Sequence, residues 1–191
     1  DLETCGFAGS AVFLVGLVRQ ADQGLIVEQL LARNYAEERA MLESLWRAAA
    51  ECEVLVTFNG KSFDWPMVHD RSTRHRLGRD DRDRPADVDR AVDRTEEFPL
   101  GPNDPRPELV HFDLLHHARR RWRHELPDCR LQTLEYYLCG RRRSDDIPGS
   151  RIPEAYHSFV RSGRKDEMRS ILHHNLLDLV TLVELSLKLG R

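Results

Sequence analysis

The chain has 191 residues, 32% of them charged, and a formal net charge of −3. That length suits one domain with a single well-buried core, and the near-balanced charge excludes a global basic footprint, so any contact with nucleic acid must rest on local patches. No run approaches the roughly 20 apolar residues of a membrane span and no segment resembles a signal peptide, so a cytoplasmic protein without membrane association is expected. The four cysteines, Cys5, Cys52, Cys129 and Cys139, include no C-x-x-C pair, which reads as reduced thiols. Lys61, Lys165 and Lys188 are the only lysines, and arginine favours bidentate phosphate contact wherever it clusters.

Asp1-Leu2-Glu3 reads as the start of a strand. Residues i and i+2 of a strand share a face, so the two carboxylates aim at one point. Such a pair suits an oxygen-ligated cation of the Mg²⁺ or Mn²⁺ type, although an exposed acidic strand end would look the same. The chain opens on this pair without a Met, so a segment of a longer protein with a truncated first strand is expected. Val12 to Val18 and Leu25 to Leu31 read as two further strands of a meander, separated by the turn-like Gln20-Ala21-Asp22-Gln23-Gly24. Asn34 and Glu37 form a capping-box pattern ahead of a helix from about 35 to 51, with Met41, Leu42, Leu45, Trp46 and Ala49 as its apolar stripe. Val54 to Phe58 reads as a buried strand, and the change from hairpin to strand-helix-strand implies a mixed sheet.

From Arg71 to Glu108 the chain is dense in Arg, Asp and Pro, and residues 71–108 read as a surface insertion, with the Arg79 to Arg84 run as a solvated segment. Leu109 to Phe112 then reads as a short strand. Helices are expected from Leu114 to Arg123, Leu131 to Leu138, Ile152 to Val160 and Asp166 to Leu187, the last with Leu172, Leu176, Leu179, Val183 and Leu187 as its stripe.

Two further stretches carry chemistry. Thr57-Phe58-Asn59-Gly60-Lys61-Ser62-Phe63-Asp64-Trp65-Pro66 places a polar loop and an acid at the C-terminal end of a strand, where ligands bind in open α/β sheets. By local pattern alone Asp64 reads first as a helix N-cap, with Pro66 in the first turn and Asn59 stabilising the turn, a role compatible with metal ligation. In His173-His174-Asn175-Leu176-Leu177-Asp178, His174 and Asp178 stand one helical turn apart on one face. Asp178 also falls near the line of Ile171, Leu182 and Leu185. A half-buried acid there requires a cation or several donors.

In order and spacing, D-x-E at a strand start, N-x-x-x-F-D-x-P after a later strand and H-x-x-x-D on a late helix resemble the DEDD 3′-5′ exonucleases of the ribonuclease H-like fold, and specifically the bacterial YprB-type domain. Val110-His111-Phe112-Asp113-Leu114-Leu115, Ile147-Pro148-Gly149 and Ile152-Pro153 are similar to that family as well. The resemblance implies a three-layer α/β ribonuclease H-like fold, with a mixed sheet of about five strands flanked by helices. It implies metal-dependent 3′-5′ exonucleolysis of DNA or RNA with two divalent cations, Mg²⁺ or Mn²⁺. Asp1, Glu3, Asp64 and Asp178 become the metal-binding acids, and His174 the residue that orients or deprotonates water. His173 is its rival if the helix begins after the histidines. Cys5 stands where many relatives have Thr and is expected to pack near the site without ligating metal.

The substrate is then the 3′ end of single-stranded DNA or RNA. Asn59, Phe63 and Trp65 are positioned to hold the terminal nucleotide, core packing being the simpler expectation for Phe63. Arg119 to Arg123, with Trp122 interleaved and Arg120 and Arg121 as candidate substrate contacts, and Arg141 to Arg143 form two basic groups that suit a phosphate backbone, although a consecutive arginine run covers several helix faces and reads equally as a solvated helix. Asp113, His116 and His117 read as structural or peripheral. The rivals are a structure-selective endonuclease on the same fold and a non-catalytic nucleic-acid-binding module.

Overall fold

A computed structural model describes residues 1–6, 9–77 and 109–190. The bulk of the 71–108 insertion, including the Arg79 to Arg84 run, lies outside the described residues. Its expected start is too early, because the helix over Asp64–Arg74 runs on through Arg71 and Ser72, both tied into the interior. The strands are β1 (Leu2–Thr4), β2 (Val12–Ala21), β3 (Gly24–Leu31), β4 (Val54–Thr57) and β5 (Val110–Asp113). The helices are α1 (Glu38–Ala50), α2 (Asp64–Arg74), α3 (Leu114–Trp122), α4 (Leu131–Cys139), α5 (Ile152–Ser162) and α6 (Asp166–Leu189).

The five described strands form two small sheets where one mixed sheet was expected. β1, β2 and β3 make an antiparallel meander, and β4 pairs with β5 in parallel. β1 is three residues long and shifts register between Glu3 and Thr4, so its far edge offers no regular ladder to β4. A register break of this kind bends the strand and re-aims a side chain, here next to Glu3. In the expected capping box, Asn34 does accept from the Ala36 N–H at 3.0 Å, but Glu37 reaches back to the Arg33 N–H, and the turn it closes is 3₁₀ before α1 begins.

Val12, Phe13, Leu14 and Val15 are all buried. Burial on both faces is why this stretch reads as a continuous apolar run instead of an alternation. α1 and α6 both pack on β2 and β3, and Phe13 stacks on Tyr156 of α5 with ring centroids 3.9 Å apart. Glu38 at the head of α1 is buried and accepts from the Val12 N–H, from Arg71 of α2 at 2.7 Å and from His75 at 2.8 Å. Burial opposes ionisation of Glu38, but these donors outweigh it and hold its carboxyl below the usual range. The pairing locks α2, and so Asp64 at its start, against β2. Cys5 is half-buried against this core, where burial pushes its thiol up to about 11.

A second apolar cluster, Leu114, Ala118, Trp122, Leu134, Leu182 and Leu185, joins α3 and α4 to the C-terminal half of α6. α6 therefore spans both cores: Met168 and Ile171 belong to the first, Leu182 and Leu185 to the second. Its buried stripe runs through Met168, Ile171, Asn175, Leu179, Leu182 and Leu185. The leucine line expected from sequence is displaced, and Leu187 is exposed, because polar His174, Asn175 and Thr181 occupy part of the buried face. β2 meets this helix at Gly16, where a Cβ would lie 2.3 Å from Asn175 Oδ1 and 2.7 Å from Leu179 Cδ1.

Gly16→Ala is therefore expected to destabilise the protein by about 1–3 kcal/mol, the usual cost of overpacking. At Gly149 nothing lies within 4 Å of an added Cβ, so Gly149→Ala should leave thermal unfolding nearly unchanged. Equal melting temperatures for the two variants would contradict the close approach of α6.

Candidate active site

The C-terminal end of parallel strand β4 turns into a loop and that of β5 runs directly into α3, and both ends meet β1 and the middle of α6 around one cavity. Asn59, just past β4, adopts φ +63°, a left-handed conformation that asparagine tolerates better than most residues. Its carbonyl accepts from the Ser62 and Phe63 N–H groups. Asp113, at the end of β5, is buried. It accepts from the backbone N–H groups of Asn59, Lys61 and Leu115 at 2.8, 3.1 and 3.1 Å, so it caps α3 and fixes the loop that carries Asp64. The structural reading of Asp113 is the one observed.

Asp64 opens α2 but makes no capping bond; Phe63 occupies the N-cap position. Its carboxylate instead lines a cavity of about 570 Å³ together with Asp1, Asn59 and Asp178. Glu3 stands close enough to these acids for its ionisation to respond to them. Burial first, then the negative charges of Asp178, Asp64 and Asp146, push its carboxyl up to about 8. Asp64 is raised as well, by burial and then by Asp113 and Asp178. The sequence-derived acids are thus brought to one place, from elements far apart in the chain.

Behind the acids lies a polar framework. Asn175, fully buried, donates from Nδ2 to Asp1 Oδ2 at 2.7 Å and accepts at Oδ1 from Gln29 Nε2 at 2.9 Å. His174 is buried between two carboxylates. Its Nδ1 bonds Asp146 at 2.8 Å and its Nε2 stands 3.6 Å from Asp178 Oδ2. α6 begins at Asp166, so both histidines are helical; His173 is exposed and points away from this cluster. Arg143 is almost fully buried and donates to Glu135 at 2.6 Å, to Asp146 at 3.2 Å and to Asp178 at 2.5 Å.

Several expected substrate contacts fall elsewhere. Trp65 packs on Trp46, His69 and His111 and does not line the cavity, whereas Phe63, expected in the core, is 44% exposed and does. The two aromatics exchange roles because α2 starts at Asp64 and turns position 65 inward. Arg141 is bonded to Glu135 and Glu184. With Arg143 likewise committed, the Arg141 to Arg143 group is largely internal scaffolding. Trp122 is buried and so offers no face to a base. Arg119 lines the acidic cavity and, with Arg120, a neighbouring one, while Arg121 lines neither.

Arg143, Asp146, Asn175, Gln29 and Arg119 were not singled out individually by sequence. Only the Asn175 contact left a trace there, a glycine inside an apolar strand, which signals close backbone approach.

The donor set of Asp1, Glu3, Asp64 and Asp178 is all carboxylate oxygen, which fits a hard divalent cation in kind. The arrangement is open: among the described residues no three His, Cys, Asp or Glu side chains converge tightly enough to enclose a metal ion.

In comparisons with known proteins, the family model for the RNase_H superfamily matches residues 1–189. The chain is also 34% identical over 194 residues to a protein of Bacillus subtilis (strain 168) named "Uncharacterized protein YprB". That alignment covers 100% of this chain and 41% of the relative, so the chain spans less than half the length of that protein.

Two outcomes follow from this electrostatic arrangement. Glu3 has a native pKa of about 8 against an ordinary 4.5, so between those values the native state binds more protons than the unfolded state. The stabilisation held at low pH is lost as pH rises through that window. In EDTA, melting temperature should fall from pH 4.5 to 8 more steeply for wild type than for Glu3→Gln; parallel curves would refute the shift. Arg143→Met strips the counter-charge from buried Glu135 and Asp178 and should cost about 3–5 kcal/mol by denaturant unfolding.

Proposed function

The chain belongs to the RNase H superfamily, and from that premise we propose that it is a metal-dependent 3′-5′ exonuclease of the DEDD type. The observation that carries this reading is the shared cavity of Asp1, Asp64 and Asp178, with Glu3 beside it and His174 behind Asp178. Asp1, Glu3, Asp64 and Asp178 would hold two divalent cations, Mg²⁺ or Mn²⁺. When bound, such ions supply Lewis acidity toward the scissile phosphodiester and lower the pKa of the attacking water.

The chain's own residues supply positioning and proton handling. Asn175 and Gln29 fix the orientation of the Asp1 carboxylate. A carboxylate only accepts hydrogen bonds, so the bond to Asp146 places the His174 proton on Nδ1. Nε2, on the side of Asp178, is left as the atom that takes a proton from water, a role suited to imidazole. Asn59 and Phe63 border the cavity where the terminal nucleotide would lie, Phe63 offering an exposed ring for stacking. Attack on the last phosphodiester releases a nucleoside 5′-monophosphate and leaves a shortened strand with a free 3′ hydroxyl.

The test is digestion of 5′-labelled single-stranded DNA and RNA, with free or blocked 3′ ends, in Mg²⁺, Mn²⁺ or EDTA. Stepwise shortening from free 3′ ends is expected with metal, lost in EDTA and in Asp64→Ala. His174→Gln should lower kcat by on the order of 10²-fold or more. Undiminished cutting in EDTA or by Asp64→Ala would refute the metal-dependent reading, internal cuts on blocked substrate would indicate an endonuclease, and binding without cleavage a silent module.

A further inference from the structure

α3 has two unlike faces. Leu115, Ala118 and Trp122 are buried, and their helical positions cluster on one side. His116, Arg119, Arg120 and Arg123 fall within an arc of roughly 100° on the other side, at 100° of rotation per residue. These four and His124 line a second cavity, of about 410 Å³. His124 is held there by the Arg123 guanidinium, which donates to its Nε2 at 2.8 Å.

Several arginines elsewhere pair with carboxylates, as in Arg19 with Glu28, Arg71 with Glu38 and Arg143 with Asp178. Among the described residues no carboxylate pairs with Arg119 or Arg120, and none lines this cavity. Converging guanidiniums repel one another unless an anion lies between them. Basic residues in the last turn of a helix do complement its dipole, but that effect does not require them to gather around one cavity.

Arg119 lines both this cavity and the acidic one. The two sites are therefore adjacent, the first bordered by apolar Phe58, Phe63, Leu115 and Leu131. Apolar and aromatic walls accept base faces, which a single strand exposes and a duplex hides. Guanidiniums accept phosphate oxygens bidentately.

We propose that the α3 cavity binds phosphates of a single-stranded nucleic acid on the 5′ side of the nucleotide seated at the acids, with Arg119 at the crossing between the two sites. The direction of the strand rests on the exonuclease reading; the phosphate site does not. The substrate is thus engaged over several nucleotides upstream of its terminus, and its affinity resides in α3.

The experiment measures binding of a 5′-fluorescein-labelled dT₁₂ and rU₁₂ by anisotropy in EDTA, across a salt series. Wild type is compared with Arg120→Gln/Arg123→Gln and with Arg161→Gln/Arg164→Gln, an exposed pair on and just after α5 that lines neither cavity. Two lost phosphate contacts should make the slope of log K against log salt shallower by roughly 1.4 for the α3 variant. The α5 variant should keep the wild-type slope. An unchanged slope for the α3 variant, equal losses in both variants or no binding by wild type would overturn the proposal. Because EDTA removes any metal-dependent chemistry, α3-dependent binding by a protein that fails to cleave in Mg²⁺ would uphold this site while refuting the exonuclease reading.

Discussion

Arg143 carries a guanidinium into contact with Glu135, Asp146 and Asp178, and the centre of the molecule is arranged around that contact. Crowded carboxylates are what a cation site needs and what a folded interior tolerates least, since each desolvated charge costs several kcal/mol unless it is compensated. A planar group with five donors compensates three acids from one side. Those acids come from α4, from the segment before α5 and from α6, so the same contact ties the second core to the helix that carries Asp178 and His174.

The other supports of the site follow the same logic of borrowing rigidity from elements outside the cavity. Glu38 anchors α2 through Arg71, Asp113 anchors the Asn59 loop, and Asn175 anchors Asp1. Of these residues only Asn59 and Asp1 border the cavity itself. Burial and the negative charges around them are why Glu3 and Asp64 resist ionisation. The protein spends its hydrogen-bond donors on holding the frame and leaves the cleft under-compensated, open to a positively charged guest.

The acids were legible in the sequence because each sits at a recognisable junction: a strand start, a strand-to-helix loop, a helical i, i+4 pair. Helix and strand order was legible from apolar periodicity and turn residues. The sheet partners were not, since pairing depends on ladder regularity, and a register break in a three-residue strand has no local signature. Trp65 and Phe63 were assigned to each other's environments because a one-residue difference in where α2 begins rotates each side chain by about 100°. The arginine runs were ambiguous for a related reason. Consecutive arginines look alike until the fold decides which meet carboxylates, as Arg141 and Arg143 do, and which meet solvent, as Arg119 and Arg120 do.

The bond from Asn175 to Asp1 joins residues 174 positions apart. A contact of that span forms only after nearly all of this sequence is available to fold. On the ribosome, a nascent chain holds its first two acids and even Asp64 long before α6 emerges, yet Asp178, His174 and the amide that orients Asp1 are still unmade. The acid cluster is therefore completed by α6.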